Sequence, residues 1–136
     1  MADLSITAAN VDKGTNAAVT STYLAGASIT AGQSVYLDTT TSTMKLADAD
    51  ALASSAAFGV ALNSASTGQP IAVQRSGSIT IGATVATGVA YYVSTTAGGI
   101  CLESDLSTGD FPHFLGFATS TTVIALDPKA CGVAKA

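Results

Sequence analysis

The side chains that could carry out catalysis are few and lie far apart along the chain. His113 is the only histidine, and as a general base it would need a nucleophile such as Ser104 or Ser107 beside it. No G-x-S-x-G motif supplies a nucleophile elbow, and nothing in the sequence provides a third group to orient the imidazole. We therefore interpret His113 as a structural residue and expect a protein that is not an enzyme.

The candidate metal ligands also lack the spacing of known sites. One histidine and two distant cysteines, Cys101 and Cys131, cannot complete a tetrahedral zinc site. Asp48 and Asp50 are two positions apart, as in some calcium loops, but the glycine and the distal glutamate of such a loop are missing. No G-K-[ST] follows the glycines, so no phosphate-binding loop is present. We expect no cofactor, and we favour two free thiols over a Cys101–Cys131 disulfide.

The charge balance argues against several classes of partner. The chain has 136 residues, which fits a single domain, and a net charge of −4. Its five basic residues are scattered between Lys13 and Lys135, and Arg75 is the only arginine. Because nucleic acids and anionic membranes both attract clustered basic residues, neither partner is expected. With no signal-peptide pattern and no apolar run of roughly 18 residues, the sequence predicts synthesis and retention in the cytoplasm.

Alternation with a period of two dominates the sequence. Phe58, Val60 and Leu62 alternate with Gly59 and Ala61, and similar short runs return every 8–12 residues or so, separated by Gly-, Ser- and Thr-rich turns. This pattern is typical of antiparallel strands with one face on a core. It predicts an all-β, single-domain antiparallel β-sandwich or small barrel.

One stretch, residues 46–57, departs from the alternation. Ala49, Leu52, Ala53 and Ala56 have helical spacing, and Asp48 precedes them as a candidate N-cap. The sequence therefore predicts at most one short helix. The corresponding stretch 103–113 contains Gly109 and Pro112 and is predicted to be a loop.

The chain repeats itself once. Six pairs of identical residues are separated by 56 positions, and Gly59 and Gly116 are separated by 57, as after a one-residue insertion. The six pairs are Gly32 and Gly88, Tyr36 and Tyr92, Thr39 and Thr95, Thr40 and Thr96, Leu46 and Leu102, and Phe58 and Phe114. The duplication predicts a β domain at residues 29–127 made of two similar units, 29–84 and 85–127. Residues 1–28 are predicted to form an extended N-terminal arm, and 128–136 a C-terminal tail that frays.

Surface composition favours assembly as the function. Side chains rich in Ser, Thr and Ala lose little entropy on burial, and lysine, the usual protection of an edge strand, is scarce. Four tyrosines, Tyr23, Tyr36, Tyr91 and Tyr92, are interpreted as sheet-packing or subunit-interface residues in preference to a sugar- or peptide-binding face. The residues predicted to form the interface are Leu4, Ile6, Val11, Tyr23, Tyr36 and Tyr92.

Five stretches resemble a family of small bacteriophage head proteins, the capsid cement or decoration proteins often encoded beside the major capsid protein. The stretches are MADLSITAANV, ITAGQSVYLDTTTSTMKLADADA, FGVALNSASTGQPIAVQRSG, GVAYYVSTTAGGICL and FLGFATSTTVIALD. The resemblance implies a β-rich domain, usually a homotrimer, that binds the outer surface of the expanded capsid and stabilises it.

That resemblance also implies the partners and the location. The partners would be the major capsid protein and further copies of this chain, and the protein would reside on the outside of the virion. We expect residues 2–11 to add a strand to the edge of a neighbouring subunit, since Leu4 and Ile6 alternate outside the repeat. The alternative is a carbohydrate- or receptor-binding β module of a phage tail or fibre, where similar modules occur.

Overall fold

The structure consists mainly of β-strands. A computed structural model describes residues 3–14, 19–130 and 133–135 of the chain. Strand residues make up 44% and helical residues 8%, so the predicted all-β class is confirmed. Within the described ranges, no helix has the length and apolar character needed to cross a membrane. In chain order the strands are β1 (Val11–Lys13), β2 (Val19–Ala25), β3 (Ser34–Asp38), β4 (Thr43–Leu46), β5 (Gly59–Ala61), β6 (Pro70–Ile81), β7 (Ala90–Val93), β8 (Ile100–Cys101), β9 (His113–Ala118) and β10 (Val123–Ala130).

Five of the strands close into a ring, which we call the first barrel. β4 pairs with β3, β3 with β5 and β5 with β6, all antiparallel. β2 then closes the ring, because it pairs antiparallel with β6 and parallel with β4. That parallel pair is the one departure from the predicted antiparallel arrangement among the described strands. The core of this barrel consists of Ala25, Ile29, Val35, Met44, Ala61, Ala65, Ile71 and Val73.

The second barrel is formed by the other half of β6 and the later strands. β6 pairs with β10, β10 with β9, β9 with β7 and β7 with β8. On the far side of β6 lies β1, and the amide of Leu4 donates a 2.8 Å hydrogen bond to the carbonyl oxygen of Ile100 in β8. Residues 3–13 therefore cover the gap between β6 and β8. The core on this side includes Ile79, Ile81, Val85, Tyr91, Val93, Ile100, Cys101, Leu106, Leu115, Ala118, Ile124 and Leu126.

The predicted duplication is visible as a repeated unit. Strands β4-β3-β5-β6 of the first unit and β8-β7-β9-β10 of the second occur in the same spatial order. Equivalent backbone bonds recur: Gly32 donates to Ala61 at 2.8 Å, and Gly88 donates to Ala118 at 2.7 Å. Both glycines have a positive φ, 93° and 83°, which explains why the turn before the first strand of each unit carries glycine.

Strand β6 belongs to both barrels. Ile71 faces the core of the first barrel, and Ile79 faces that of the second. Between them, Gln74 is fully buried. Its side-chain amide donates to the carbonyl oxygens of Ser76 at 3.1 Å and Ser78 at 2.6 Å. These bonds fix the backbone where β6 passes from one barrel to the other.

The predicted N-terminal arm and C-terminal tail are corrected by the pairing. Within residues 1–28, the described parts 3–14 and 19–28 belong to the body of the fold, because β1 pairs with β6 and β2 pairs with both β4 and β6 to close the first barrel. Strand β10 continues to Ala130, beyond the expected boundary at 127. Lys135 is also held in place: its side chain pairs with Glu103 at 2.9 Å and donates to the carbonyl oxygen of Leu106 at 2.7 Å.

The predicted short helix exists but begins later than expected. It is α1 (Leu52–Ser55), and its N-cap is Ala51, which makes no side-chain capping bond. Asp48 instead accepts a 2.9 Å hydrogen bond from the amide of Asp50, so it stabilises a turn and not a helix end. In the second unit the expected loop includes a short 3-10 helix, Glu103–Asp105.

Candidate binding surfaces

The six predicted interface residues do not form one exposed patch. Leu4, Ile6, Val11 and Tyr92 are partly buried against the core of the second barrel, and Tyr23 against that of the first. The sixth, Tyr36, is half-buried on β3. The apolar side chains of the N-terminal residues therefore pack against their own barrel, and β1 pairs with β6 of the same chain instead of a neighbour's edge.

The four tyrosines are likewise divided between the barrels. Tyr91 is only 4% exposed, and its hydroxyl accepts a 3.0 Å hydrogen bond from the amide of Ala86. The Tyr23 ring packs edge-on against Phe58 in the first barrel. Tyr92 lies in β7 of the second barrel. The common tyrosine face that a sugar-binding module would use is not formed.

His113 is buried without a catalytic partner. It is 4% exposed, and neither ring nitrogen has a hydrogen-bond partner among the described residues, so neither Ser104 nor Ser107 is bonded to it. Burial lowers the pKa of His113, and the nearby backbone of Ala57 offsets part of that effect. The neutral imidazole is thus the favoured form of this buried side chain.

Replacing His113 with phenylalanine is expected to make stability less dependent on pH. Because burial lowers the pKa of His113 in the folded protein, the unfolded chain, with a pKa of about 6.5, is protonated first as the pH falls. The stability contributed by neutral His113 is complete above about pH 6.5 and is lost below it. Urea denaturation between about pH 7.5 and pH 5 measures the loss, which should be smaller in His113→Phe than in the wild type. Equal losses in the two proteins would contradict the assignment.

The remaining candidates for chemistry are inert or incomplete. Burial, together with the charges of Asp3 and Asp105, raises the pKa of the Cys101 thiol to about 12, so it is not a thiolate at neutral pH. Cys131 lies outside the described residues, so the structure does not test the Cys101–Cys131 disulfide. The charge of Asp48 raises the pKa of Asp50. In the described parts of the chain, no group of three or more His, Cys, Asp or Glu side chains is placed to hold a metal ion.

The outer face of the second barrel carries an exposed aromatic patch. Phe117 of β9 is 53% exposed, and its direct cross-strand neighbours are Ala90 of β7 and Ala125 of β10. Directly opposed residues point to the same side of a sheet, so Phe117 stands between two small side chains. The ring of Phe114 lies 5.0 Å from that of Phe117, and Tyr92 lies 5.8 Å from Phe114. We call these five residues the aromatic face.

Charged residues lie beside the aromatic face. Lys129 is directly opposite Phe114 in the pairing of β9 with β10. Its ammonium group lies 3.5 Å from the carboxylate of Asp127, and both side chains are about two-thirds exposed. An ion pair this exposed contributes little to stability. An apolar centre with a polar edge is the usual anatomy of a protein-binding surface.

Sequence reasoning missed this face, although a signal was present. In a strand with one face on a core, every second residue should be small or polar. The segment from Phe114 to Ala118 is apolar or small at every position. Because the pairing of β9 shifts register between Phe114 and Gly116, Leu115 and Ala118 are both buried while Phe117 is exposed. The sequence signal for this face is therefore the pair Phe114 and Phe117, two large aromatic residues within one short strand.

Comparison with known proteins adds no family. No protein-family model matches the chain, and no curated protein matches it. The fold and the aromatic face therefore provide the structural basis for inferring a function.

Proposed function

We propose that this chain is a bacteriophage capsid decoration protein. It forms a homotrimer, binds the major capsid protein on the outer surface of the expanded shell and stabilises that shell. The sequence stretches that resemble the decoration family suggest the role, and the exposed aromatic face is the observation that supports it most directly. Phe117 is exposed next to the ring of Phe114, and a contiguous apolar surface of this kind marks an interaction site more often than a single exposed side chain does.

The form of the double barrel suits a bracing role. Closing the strands into rings leaves few free edges, so binding has to use faces of the sheet. The aromatic face lies on strands that are paired on both sides, and it loses little conformational entropy when covered. A rigid face of this kind can be repeated across a lattice, where many weak contacts act together.

The charge of the chain is compatible with a position outside the shell. A protein with a net charge of −4 is repelled by packaged DNA and not drawn to it. Binding only to the expanded shell stabilises that state by mass action, without any chemical step. No catalytic group is required for this function.

Replacing Phe117 with serine is expected to reduce shell occupancy about tenfold or more, since a buried aromatic anchor commonly contributes about 2 kcal/mol to binding. The measurement is co-sedimentation of the protein with expanded shells of the phage that encodes it. The matched control is Leu24→Ser, because Leu24 is similarly exposed, 50% against 53%, on β2 of the other barrel. Circular dichroism verifies that both variants remain folded.

Two outcomes of this experiment, and two of companion measurements, would count against parts of the proposal. Wild-type protein that fails to bind shells contradicts the decoration role. Wild-type protein that binds as well as Phe117→Ser removes the aromatic face from the contact. A monomer by analytical ultracentrifugation contradicts the homotrimer, and glycan binding without shell binding would favour the tail or fibre module.

A further inference from the structure

A groove opens where the two barrels separate. Strands β6 and β10 pair from Thr80 and Val123 to Gly77 and Leu126, and then diverge. β6 continues into the first barrel, while β10 stays beside β9 after an irregularity that follows Leu126. The groove between them has a volume of about 460 Å³. Its lining residues, which define what we call the fork groove, are Val19, Ala57, Phe58, Arg75, Ser76, Asp127 and Pro128.

Arg75 provides the fork groove with a fixed cation. Its guanidinium lies 4.3 Å from the centroid of the Phe58 ring, and Phe58 is itself held by an edge-on contact with Tyr23 at 5.4 Å. Stacking on an aromatic ring limits the rotamers of an arginine and leaves its N–H groups free. The side chain of Arg75 makes no ion pair or hydrogen bond within the described part of the chain.

Among the described basic residues, Arg75 and Lys13 are the two without a carboxylate of the same chain within 4 Å. The chain has nine acidic and five basic residues, so acidic partners are in excess. Lys45, Lys129 and Lys135 each lie within 4 Å of a carboxylate of the same chain. Arg75 is the exposed cation that is ordered by an aromatic ring instead of by a carboxylate. Its natural complement is therefore an anion on a partner.

We propose that the fork groove binds a carboxylate-bearing segment of a partner protein, with Arg75 as the anion-binding residue. The planar guanidinium matches a carboxylate in a two-point hydrogen bond. The exposed Val19 and the neighbouring Pro128 offer apolar contact for the methylene groups of an acidic side chain. Asp127 at the edge of the groove opposes a doubly charged phosphate more strongly than a singly charged carboxylate.

This inference goes beyond the decoration role and does not depend on it. It requires only a partner with an exposed acidic side chain, and it concerns a groove between the barrels instead of the aromatic face on the second. The two proposals can therefore fail separately: the first is tested with shells, and the second with a small carboxylate in solution.

The test uses the single arginine as its own reporter. Because Arg75 is the only arginine, its side-chain Nε–Hε group gives one unambiguous signal in a ¹⁵N NMR spectrum. The probe is N-acetyl-glutamate α-amide, the control is the uncharged N-acetyl-glutamine α-amide, and inorganic phosphate is the third arm. We expect a saturable shift of the Arg75 signal with the glutamate probe and no saturable shift with the glutamine control.

Two variants separate binding from a general charge effect. Phe58→Leu removes the ring under Arg75 but keeps an apolar side chain, and the glutamate probe should then bind at least about fivefold more weakly. Lys13→Gln removes an exposed cation elsewhere and should leave the shift unchanged. Any of four results would overturn the proposal. The Arg75 signal could shift equally with the glutamate and glutamine probes, or respond linearly to glutamate, as it would to added sodium chloride. Phosphate could bind more strongly than the glutamate probe, or Phe58→Leu could leave binding of that probe unchanged.

Discussion

Replacing Gly59 or Gly116 with alanine is expected to destabilise the fold by about 3 kcal/mol or more. A Cβ atom on Gly59 would come within 2.1 Å of the carbonyl oxygen of Gln74, and one on Gly116 within 2.1 Å of that of Ala125. Both obstacles are backbone atoms of the paired strand, so no side-chain rotation relieves them. Urea denaturation measures the loss in the free energy of unfolding.

The control for this prediction is Gly68→Ala. Gly68 has a φ of 87°, but a Cβ atom there would meet no other atom within 4 Å. Its replacement should cost only the backbone strain of a left-handed residue, about 1 kcal/mol. Gly59 and Gly116 do not have a positive φ, so their larger cost would isolate the steric effect. If Gly59→Ala and Gly116→Ala cost no more than Gly68→Ala, the close strand approach in both units is wrong.

Gln74→Glu is expected to cost about 3–5 kcal/mol at neutral pH, the usual penalty for an uncompensated buried charge. Gln74 is fully buried, and its amide group donates to the carbonyl oxygens of Ser76 and Ser78. An ionised carboxylate in its place would face two acceptors and could donate to neither. The expected result is a much lower urea midpoint than in the wild type at the same pH.

The pH dependence of this variant has a definite sign. Burial would raise the pKa of the introduced carboxyl above its value of about 4.3 in the unfolded chain. The penalty should be largest above the raised pKa and should shrink as the pH falls through it, because the protonated acid is neutral and can donate one bond. Gln74→Met, which removes both bonds without adding charge, should cost about 2 kcal/mol at every pH. Equal costs for the two variants at neutral pH would mean that the site is open to water.

The strands could be predicted from the sequence because their pattern is local. Alternation such as that of Ile79 and Ile81 around Thr80 depends on neighbours two positions apart, and these positions form a strand in the structure. The duplication was readable for the same reason: Gly59 and Gly116 must both be glycine where the paired strand leaves no room for a side chain. Because the same steric constraint acts at both positions, both positions carry glycine.

The place of the N-terminal residues could not be predicted in this way. Leu4 and Ile6 alternate in either case, whether they cover a neighbour's edge or their own barrel. The choice depends on the gap between β6 and β8, which exists only once the second barrel has formed. The parallel pairing of β2 with β4 was missed for the same reason, because ring closure is a property of the whole sheet.

The candidate surfaces were the least predictable part. The sequence indicated apolar and aromatic residues for an interface, but it could not separate those that the fold buries from those that it leaves outside. Tyr92 is partly buried at the margin of the aromatic face, whereas Phe117, which the sequence pattern did not indicate, is half-exposed at its centre. The fork groove requires the divergence of β6 and β10, which no local pattern encodes.

The contact between Leu4 and Ile100 constrains how the protein can be made. The two residues are 96 positions apart, yet they share a backbone hydrogen bond at the closing side of the second barrel. Translation runs from the N-terminus, so residues 3–13 are synthesised before β8, and Leu4 lacks its partner Ile100 until β8 has been made. The exposed Leu4, Ile6 and Val11 of this early segment must stay in solution during that interval. Completion of the second barrel is therefore a late event in biogenesis, and such long-range closure is intrinsically slow.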